Sequence, residues 1–141
     1  MAYKILIVDD SLTMRSVIKK TITASGFNVG ELLDASSGKE ALTILKDAWF
    51  DLVLTDYNMP EMDGLELITE MKKDDILKDI PVVMITTEGS RQRVDEFIEK
   101  GAAGYIKKPF TPEEIRTKLM VIMGEEDGER SSDNDDEGLD F

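Results

Sequence analysis

The amino-acid sequence predicts an α/β domain in which five strands form a mostly parallel sheet with helices on both faces. Along residues 1–123, short continuous apolar runs alternate with amphipathic stretches at helical spacing. Continuous apolar runs are typical of parallel strands, which are buried on both faces and need a crossover to reach the next strand. Right-handed crossovers then place the helices on the two faces of the sheet.

Five segments have the composition of strands. The run 4–8 (KILIV) is apolar almost throughout, and 29–33 (VGELL) is a weaker second strand. The runs 51–55 (DLVLT) and 80–86 (IPVVMIT) match the first in character, and Pro81 is acceptable because it stands near the strand start. Residues 104–106 are short and complete the predicted sheet.

Five amphipathic segments follow these strands, with apolar residues at the spacing of one helix face. Gly26 and Gly101 are stop signals after the first and fourth segments. The fifth starts at Thr111 as a cap, followed by proline and two glutamates that suit a helix N-terminus. The apolar positions, in chain order, are Met14, Val17, Ile18 and Ile22; Ala41, Leu42, Ile44, Leu45 and Ala48; Leu65, Ile68 and Met71; Val94, Phe97 and Ile98; and Ile115, Leu119 and Ile122.

The composition excludes several classes of chemistry. The chain has 30 acidic and 17 basic residues, a formal net charge of −13, and neither histidine nor cysteine. The acid surplus argues against a nucleic-acid partner, because phosphate binding needs a basic face. Without histidine and cysteine, an imidazole base, a zinc finger, a thiol nucleophile and a disulfide are all excluded.

The same composition sets expectations for location and domain organisation. The longest apolar run, 119–123, is too short for a membrane span, and the first residues do not resemble a signal peptide, so we expect a cytoplasmic protein. We separately expect it to be a monomer. Residues 124–141 carry nine acids and one base, with almost nothing apolar to pack. This segment is therefore predicted to be a disordered acidic tail behind a folded domain of residues 1–123.

Polar side chains close four of the predicted strands. Since the carboxyl ends of parallel strands meet at one edge of the sheet, where ligands bind in open α/β folds, these side chains should converge. Three carboxylates, a hydroxyl and an ammonium are expected there. The carboxylates are those of Asp9 and Asp10 after the first strand and Asp56 after the third. The hydroxyl comes from Thr86 or Thr87 at the end of the fourth strand, and the ammonium from Lys107 or Lys108 at the end of the fifth.

This combination favours a hard divalent cation and phosphoryl chemistry. Three crowded carboxylates repel one another unless a cation joins them. Mg²⁺ prefers oxygen ligands and keeps waters that leave a place for a phosphate oxygen, and Mn²⁺ accepts the same donors. A carboxylate that attacks phosphorus gives an acyl phosphate, while a metal ion and a lysine neutralise charge on the phosphoryl oxygens. We therefore predict phosphoryl transfer to one aspartate.

Five segments in fixed order also carry a family resemblance: IVDDSLTMR, GFNV, LTDYNMPEMDG, VVMITTEG and GAAGYIKKPFT. The sequence resembles the receiver domains of two-component response regulators, and is most similar to their single-domain chemotaxis members. The resemblance implies a flavodoxin-like sheet with strand order 2-1-3-4-5. It also implies a signalling switch that catalyses only its own phosphorylation and dephosphorylation.

The resemblance further implies a role for each residue of the site. Asp56 matches the phosphoacceptor, and Asp9 and Asp10 match the acidic pair that binds Mg²⁺ together with Asp56 and the backbone carbonyl of Asn58. Thr86 and Lys108 match the groups that bind the phosphoryl oxygens. The remaining expectations are that Tyr105 moves inward with Thr86, that the Lys108–Pro109 peptide is cis, and that Asn58 and Glu88 tune dephosphorylation.

The expected function is a phosphorylation-driven switch. A sensor histidine kinase would donate to Asp56, and the face formed by the fourth helix, fifth strand and fifth helix would then bind a downstream protein. Two roles compete: chemotaxis control at the flagellar motor, favoured by the Asn58 and Glu88 pair, and a phosphorelay that passes the phosphate to a second histidine. A pseudo-receiver that only binds would be expected to lack Asp10, Asp56 or Lys108, and all three are present.

Plain structural roles stay open for individual residues. Asp9 could cap the following helix, the residues from Asp56 to Gly64 could form only a turn, and Tyr105 could be static packing. Lys107 should point away from Lys108, because side chains alternate along a strand.

Overall fold

The computed structural model describes residues 2–125 and alternates strand and helix throughout. This confirms the predicted fold class. Of the predicted acidic tail, residues 126–141 lie outside the described part of the chain. The elements are β1 (Tyr3–Val8), α1 (Leu12–Ser25), β2 (Val29–Ala35), α2 (Gly38–Asp47), β3 (Leu52–Asp56), α3 (Gly64–Lys72), β4 (Val82–Thr86), α4 (Arg91–Glu99), β5 (Gly104–Lys107) and α5 (Pro112–Ile122).

The five strands form one sheet in the order β2-β1-β3-β4-β5, and every pair of neighbours is parallel. The chain leaves β1 toward β2 on one side and returns to place β3 on the other, so strand order reverses between β1 and β3. In the register of that pair, Val8 lies opposite Thr55. The residues that follow, Asp9 and Asp56, therefore lie side by side at the carboxyl edge.

The apolar core has two layers, one on each face of the sheet. Along β1, Leu6 and Val8 belong to the layer under α2, α3 and α4, whereas Ile5 and Ile7 belong to the layer under α1 and α5. Because both faces are covered, all four of these side chains are fully buried. This explains why the strand has a continuous apolar run rather than an alternating pattern.

Two strands differ from their predicted ranges by two residues, and the other three differ by one residue at one or both ends. β2 continues past Leu33 to Ala35, because it pairs with β1 as far as Val8. β4 begins at Val82 rather than Ile80, and the carbonyl of Pro81, just before it, accepts a hydrogen bond from the backbone N–H of Val53. Proline lacks the N–H that a ladder position would use, so the regular strand starts after it.

Each helix starts at a residue whose side chain accepts a hydrogen bond from the backbone N–H three positions later, which satisfies one of the otherwise unpaired N–H groups of the first turn. Thr111 caps α5 in this way, as its sequence predicts, and Gly26 ends α1 with φ of 80°. Within residues 2–125, no helix combines the length and the apolar character that crossing a membrane requires. The N-caps are Ser11, Ser37, Asp63, Ser90 and Thr111.

Candidate metal centre and its surroundings

The carboxylates of Asp9, Asp10 and Asp56 meet at the carboxyl edge of the sheet. One oxygen of each lies within 4.8 Å of the other two. Asp9 and Asp10 follow β1 and Asp56 ends β3, so the strand-order reversal brings them together. Asp9 is buried and Asp10 is exposed, which leaves the cluster open to solvent on the Asp10 side.

Asp9 is the deepest member of the cluster, with 2% of its surface exposed. Its Oδ1 accepts a hydrogen bond of 2.8 Å from the backbone N–H of Ser11. Its Oδ2 is buried and accepts no hydrogen bond. A buried carboxylate oxygen without a hydrogen bond is unfavourable, and a cation among the three carboxylates would add a close partner to its ion pair with Lys108 at 3.6 Å. The donor set therefore fits a hard divalent ion such as Mg²⁺.

Lys108 brings a positive charge to the same edge. Its Nζ lies 3.3 Å from Oδ1 of Asp56 and 3.6 Å from Oδ2 of Asp9, and its side chain is mostly buried. Its backbone N–H donates to the carbonyl of Thr86, and the peptide bond to Pro109 is cis. Lys107 is exposed, in agreement with the alternation along β5. One ammonium thus faces two of the three carboxylates.

Burial raises the pKa of the Asp56 carboxyl above its ordinary value. The positive charge of Lys108 lowers this pKa, while the negative charge of Asp9 raises it again. The net direction is upward, so the ionised form of Asp56 is disfavoured by its surroundings. A bound divalent ion would act in the opposite direction.

Thr86 lies near this cluster, but its hydroxyl bonds within its own loop. The side chain is fully buried at the end of β4, and Oγ1 accepts a hydrogen bond of 2.9 Å from the backbone N–H of Glu88. Tyr105, on the neighbouring β5, is half-buried, and Nζ of Lys118 lies 4.7 Å from its ring centroid. Asn58 is exposed, two residues after Asp56. The structure thus brings together Asp9, Asp10, Asp56 and Lys108.

Arg15 supports the site and is absent from the sequence-based set. Its Nη1 donates to the backbone carbonyl of Asp9 at 2.6 Å, and its Nε donates to Oδ2 of Asp34 at 2.7 Å. Lys19 also pairs with Asp34, at 3.2 Å. Asp34 lies on β2 at the same edge of the sheet. If the second strand had been predicted to extend to Ala35, Asp34 would have been expected at the carboxyl edge as a fourth acidic residue.

Gly64 is a second supporting residue. A Cβ at this position would lie 2.7 Å from the carbonyl oxygen of Asp56 and 2.5 Å from the sulfur of Met84. Any side chain would therefore push α3 away from the end of β3. The Asp63–Gly64 pair in the sequence indicates a turn, but not this close approach to the site.

A family model for the response regulator receiver domain matches residues 5–120. That range includes all three carboxylates of the cluster and Lys108. The chain belongs to the response regulator receiver family. This confirms the resemblance identified in the sequence and makes the chain a signalling receiver of the two-component type.

Similar proteins extend over nearly the whole receiver. The chain is 44% identical to chemotaxis protein CheY1 of Helicobacter pylori over 126 residues, which cover 88% of this chain and 99% of that protein. It is 45% identical to chemotaxis protein CheY-3 of Vibrio cholerae over 120 residues, which cover 85% of this chain and 91% of that protein. The solved structure of CheY4 of Vibrio cholerae matches with a TM-score of 0.77 at 34% identity, over 86% of this chain and 99% of that one. The receiver is thus homologous to CheY chemotaxis regulators.

Proposed function

We propose that this receiver is a stand-alone response regulator that accepts a phosphoryl group on Asp56 from a sensor histidine kinase, with Mg²⁺ bound by the acidic cluster. The observation that carries the proposal is the meeting of three carboxylates and the Lys108 ammonium at one edge of the sheet. We place this function in residues 1–123 and in the cytoplasm.

The chemistry follows from the residues at that edge. An oxygen of Asp56 attacks phosphorus, the bond from phosphorus to the histidine nitrogen of the donor breaks, and the imidazole leaves with the bonding electron pair. The product is an aspartyl phosphate. Lys108, now 3.3 Å from Asp56, is placed to neutralise an oxygen of the transferred group. A Mg²⁺ ion on Asp9, Asp10, Asp56 and the carbonyl of Asn58 would supply further neutralisation of charge, and Mn²⁺ would suit the same ligands.

Phosphorylation would then act as a switch. The new group adds about −1.5 to −2 charges and strong acceptor oxygens beside Thr86 and Lys108. The Thr86 hydroxyl would leave the N–H of Glu88 to bond a phosphoryl oxygen, and Tyr105 would follow inward. Hydrolysis resets the switch, at a rate that Asn58 and Glu88 tune. The switch depends on the phosphorylated form favouring one of two conformations.

The surface that would respond is the face of α4, β5 and α5. A groove of about 400 Å³ lies between β5 and α5, and lysines and aromatic side chains line it. This basic, partly apolar groove suits an acidic partner protein with an apolar anchor. The names of the similar proteins favour a role in chemotaxis. Within that role we take the partner to be a protein of the flagellar motor, as the family resemblance implies.

The test is a titration with fluoroberyllate, an analogue of a phosphoryl group, followed by NMR amide shifts with and without Mg²⁺. The wild type should respond only when Mg²⁺ is present, and Asp56→Asn should not respond. Asp75→Asn is the matched control, since that side chain is 97% exposed and far along the chain from the cluster. A response without metal, or one that survives in Asp56→Asn, would refute the proposal.

The role of the acidic tail can be tested in the same way. Removing residues 126–141 keeps Glu125, whose carboxylate accepts a hydrogen bond from the hydroxyl of Tyr3. The shortened chain should bind fluoroberyllate with unchanged affinity. An altered affinity would mean that the acidic tail takes part in the chemistry.

A further inference from the structure

Arg93, in the first turn of α4, contacts three separate segments of the chain. Its Nε lies 3.2 Å from Oε1 of Glu88, in the connection between β4 and α4. Its Nη1 donates to Oε1 of Glu96 on α4 at 2.7 Å. Its guanidinium carbon lies 4.8 Å from the centre of the ring of Tyr57, in the connection between β3 and α3. The planar guanidinium group suits this arrangement, because it can pair with carboxylates at its edge while its face covers a ring.

Two of these contacts join Arg93 to the neighbourhood of the phosphorylation site. Tyr57 directly follows Asp56 and also packs its ring against Phe97 of α4, with ring centroids 5.2 Å apart. Glu88 comes two residues after Thr86, and its backbone N–H donates to the Thr86 hydroxyl at 2.9 Å. The Glu88 backbone therefore holds the Thr86 hydroxyl, while Arg93 holds the Glu88 side chain.

Because Glu88 is held through both its backbone and its side chain, these contacts affect how easily the β4–α4 connection can move. If the Thr86 hydroxyl turns toward Asp56, its bond with the N–H of Glu88 breaks, and the β4–α4 connection loses one of the contacts that hold it in place. Arg93 joins that connection to Tyr57 and to α4. Contacts that exist in one conformation and are lost in the other shift the population toward the first.

We propose that Arg93 is a positioning residue that tethers Glu88 to Tyr57 and so holds the β4–α4 connection in its unphosphorylated conformation. The inference rests on the proposed function for its link to switching. Loss of the tether should make the connection easier to move and should favour the conformation that binds a phosphoryl group. Contacts of this partly exposed kind are individually weak, so the expected change in the conformational equilibrium is about three- to tenfold.

The first measurement is amide hydrogen exchange of Glu88 in the metal-free full chain, read by NMR. Exchange reports the opening of the bond between Glu88 and Thr86, and it requires neither Mg²⁺ nor phosphorylation. Arg93→Gln should exchange about three- to tenfold faster than the wild type at Glu88. Glu96→Gln is the matched control, because it removes the pair within α4 and keeps the contacts of Arg93 with Glu88 and Tyr57. It should exchange at the wild-type rate.

The second measurement is the affinity for fluoroberyllate in the presence of Mg²⁺. Arg93→Gln should bind more tightly by the same factor as its exchange is faster, and Glu96→Gln should bind as the wild type does. Glu88→Gln should also loosen the tether, so adding it to Arg93→Gln should change exchange little further. Near-additive effects of the two substitutions would contradict a shared tether.

The outcomes separate this inference from the proposed function. Unchanged exchange and affinity in Arg93→Gln would overturn the tether, as would equal changes in Arg93→Gln and Glu96→Gln, which would point to α4 itself. Faster exchange with unchanged affinity would overturn the link between the tether and switching. A wild type that does not respond to fluoroberyllate would refute the proposed function, while the exchange measurement would still decide whether Arg93 holds Glu88.

Discussion

Replacing Asp56 with asparagine is expected to stabilise the metal-free protein at neutral pH, although the substitution removes the proposed phosphoacceptor. Burial disfavours the charge of the Asp56 carboxylate, and one oxygen each of Asp9 and Asp10, within 4.8 Å of an Asp56 oxygen, adds repulsion that Lys108 offsets. Asparagine keeps the shape of the side chain and removes its charge. The burial and crowding that prepare the site for a cation therefore weaken the protein when no cation is bound.

The size of the effect follows from these distances. At an effective dielectric constant of about 20, two like charges 4.8 Å apart repel by roughly 3.5 kcal/mol. Asp56 has two such neighbours, so its charge meets about 7 kcal/mol of repulsion. At 3.3 Å, Lys108 attracts the same charge by roughly 5 kcal/mol. These pair energies nearly cancel, and desolvation of the mostly buried carboxylate, which is the largest effect on its pKa, brings the overall preference for asparagine to about 2 kcal/mol.

The pH dependence gives the prediction its sign. The folded-state pKa of Asp56 is raised, so the stability linked to this group is fully present below the unfolded pKa and is lost as pH rises through the folded pKa. The advantage of Asp56→Asn should therefore be largest at neutral pH. It should disappear below the ordinary pKa of an aspartate, at about pH 4.

Urea unfolding in EDTA at neutral pH measures the difference. With an m-value of about 1–3 kcal/mol/M, the midpoint of Asp56→Asn should lie about 1 M above that of the wild type. The control Asp75→Asn makes the same change in net charge at a side chain that is 97% exposed, and its free energy of unfolding should stay within about 0.5 kcal/mol of the wild type. Added Mg²⁺ should stabilise the wild type more than Asp56→Asn, because a ligand that binds the native state stabilises it. A wild type at least as stable as Asp56→Asn in EDTA, or a difference that persists at pH 4, would refute the reasoning.

Three further substitutions test other parts of the structure. Lys108→Ala should keep Mg²⁺ binding, because the carboxylates remain, but should weaken fluoroberyllate binding at least tenfold. Calorimetric titration measures both affinities. Loss of Mg²⁺ binding in this variant would contradict the role assigned to Lys108. Gly64→Ala should destabilise the protein by about 1–3 kcal/mol in urea unfolding and weaken Mg²⁺ binding, since its Cβ would lie 2.7 Å from the carbonyl of Asp56. Unchanged stability would mean that α3 shifts freely. Phe97→Ala should lower the free energy of unfolding by about 3–5 kcal/mol, because the ring is fully buried, and a loss below about 1 kcal/mol would contradict that burial.

Local pattern was sufficient to predict the ten elements, and the reason is physical. Burial on both faces leaves an unbroken apolar run, as in β1, and helix burial leaves apolar residues at helical spacing. Strand order is different, because pairing joins residues far apart in the chain, such as Val8 and Thr55. The order was inferred from the family resemblance, and the structure confirms it.

The residues of the site also fall into those that local sequence pattern predicts and those that depend on contacts between distant segments. Asp9, Asp10 and Asp56 could be grouped from the sequence because they stand at the ends of apolar runs. Lys107 and Lys108 share such a position, and the family resemblance was needed to choose Lys108. The burial of Asp9 beside an exposed Asp10 could not be predicted, since it depends on where α1 begins. The roles of Arg15 and Arg93 were not predicted, because each contacts residues of other segments and no spacing in the sequence indicates those contacts.

The carboxylates of the site and Tyr105 lie on or just after strands in different positions of the sheet. β1 and β3 lie in the interior of the sheet, and the side chains of β1 belong to both layers of the core, so unfolding either layer exposes part of this strand. Asp9 and Asp56 therefore lie at the ends of the segments that are expected to unfold locally least often. Tyr105 lies instead on β5, an edge strand of four residues with a neighbour on one side only. If Asp56 is phosphorylated as proposed, the reacting carboxylates would stay in place while residues of the edge strand change position, so the site would keep its geometry as the surface changes.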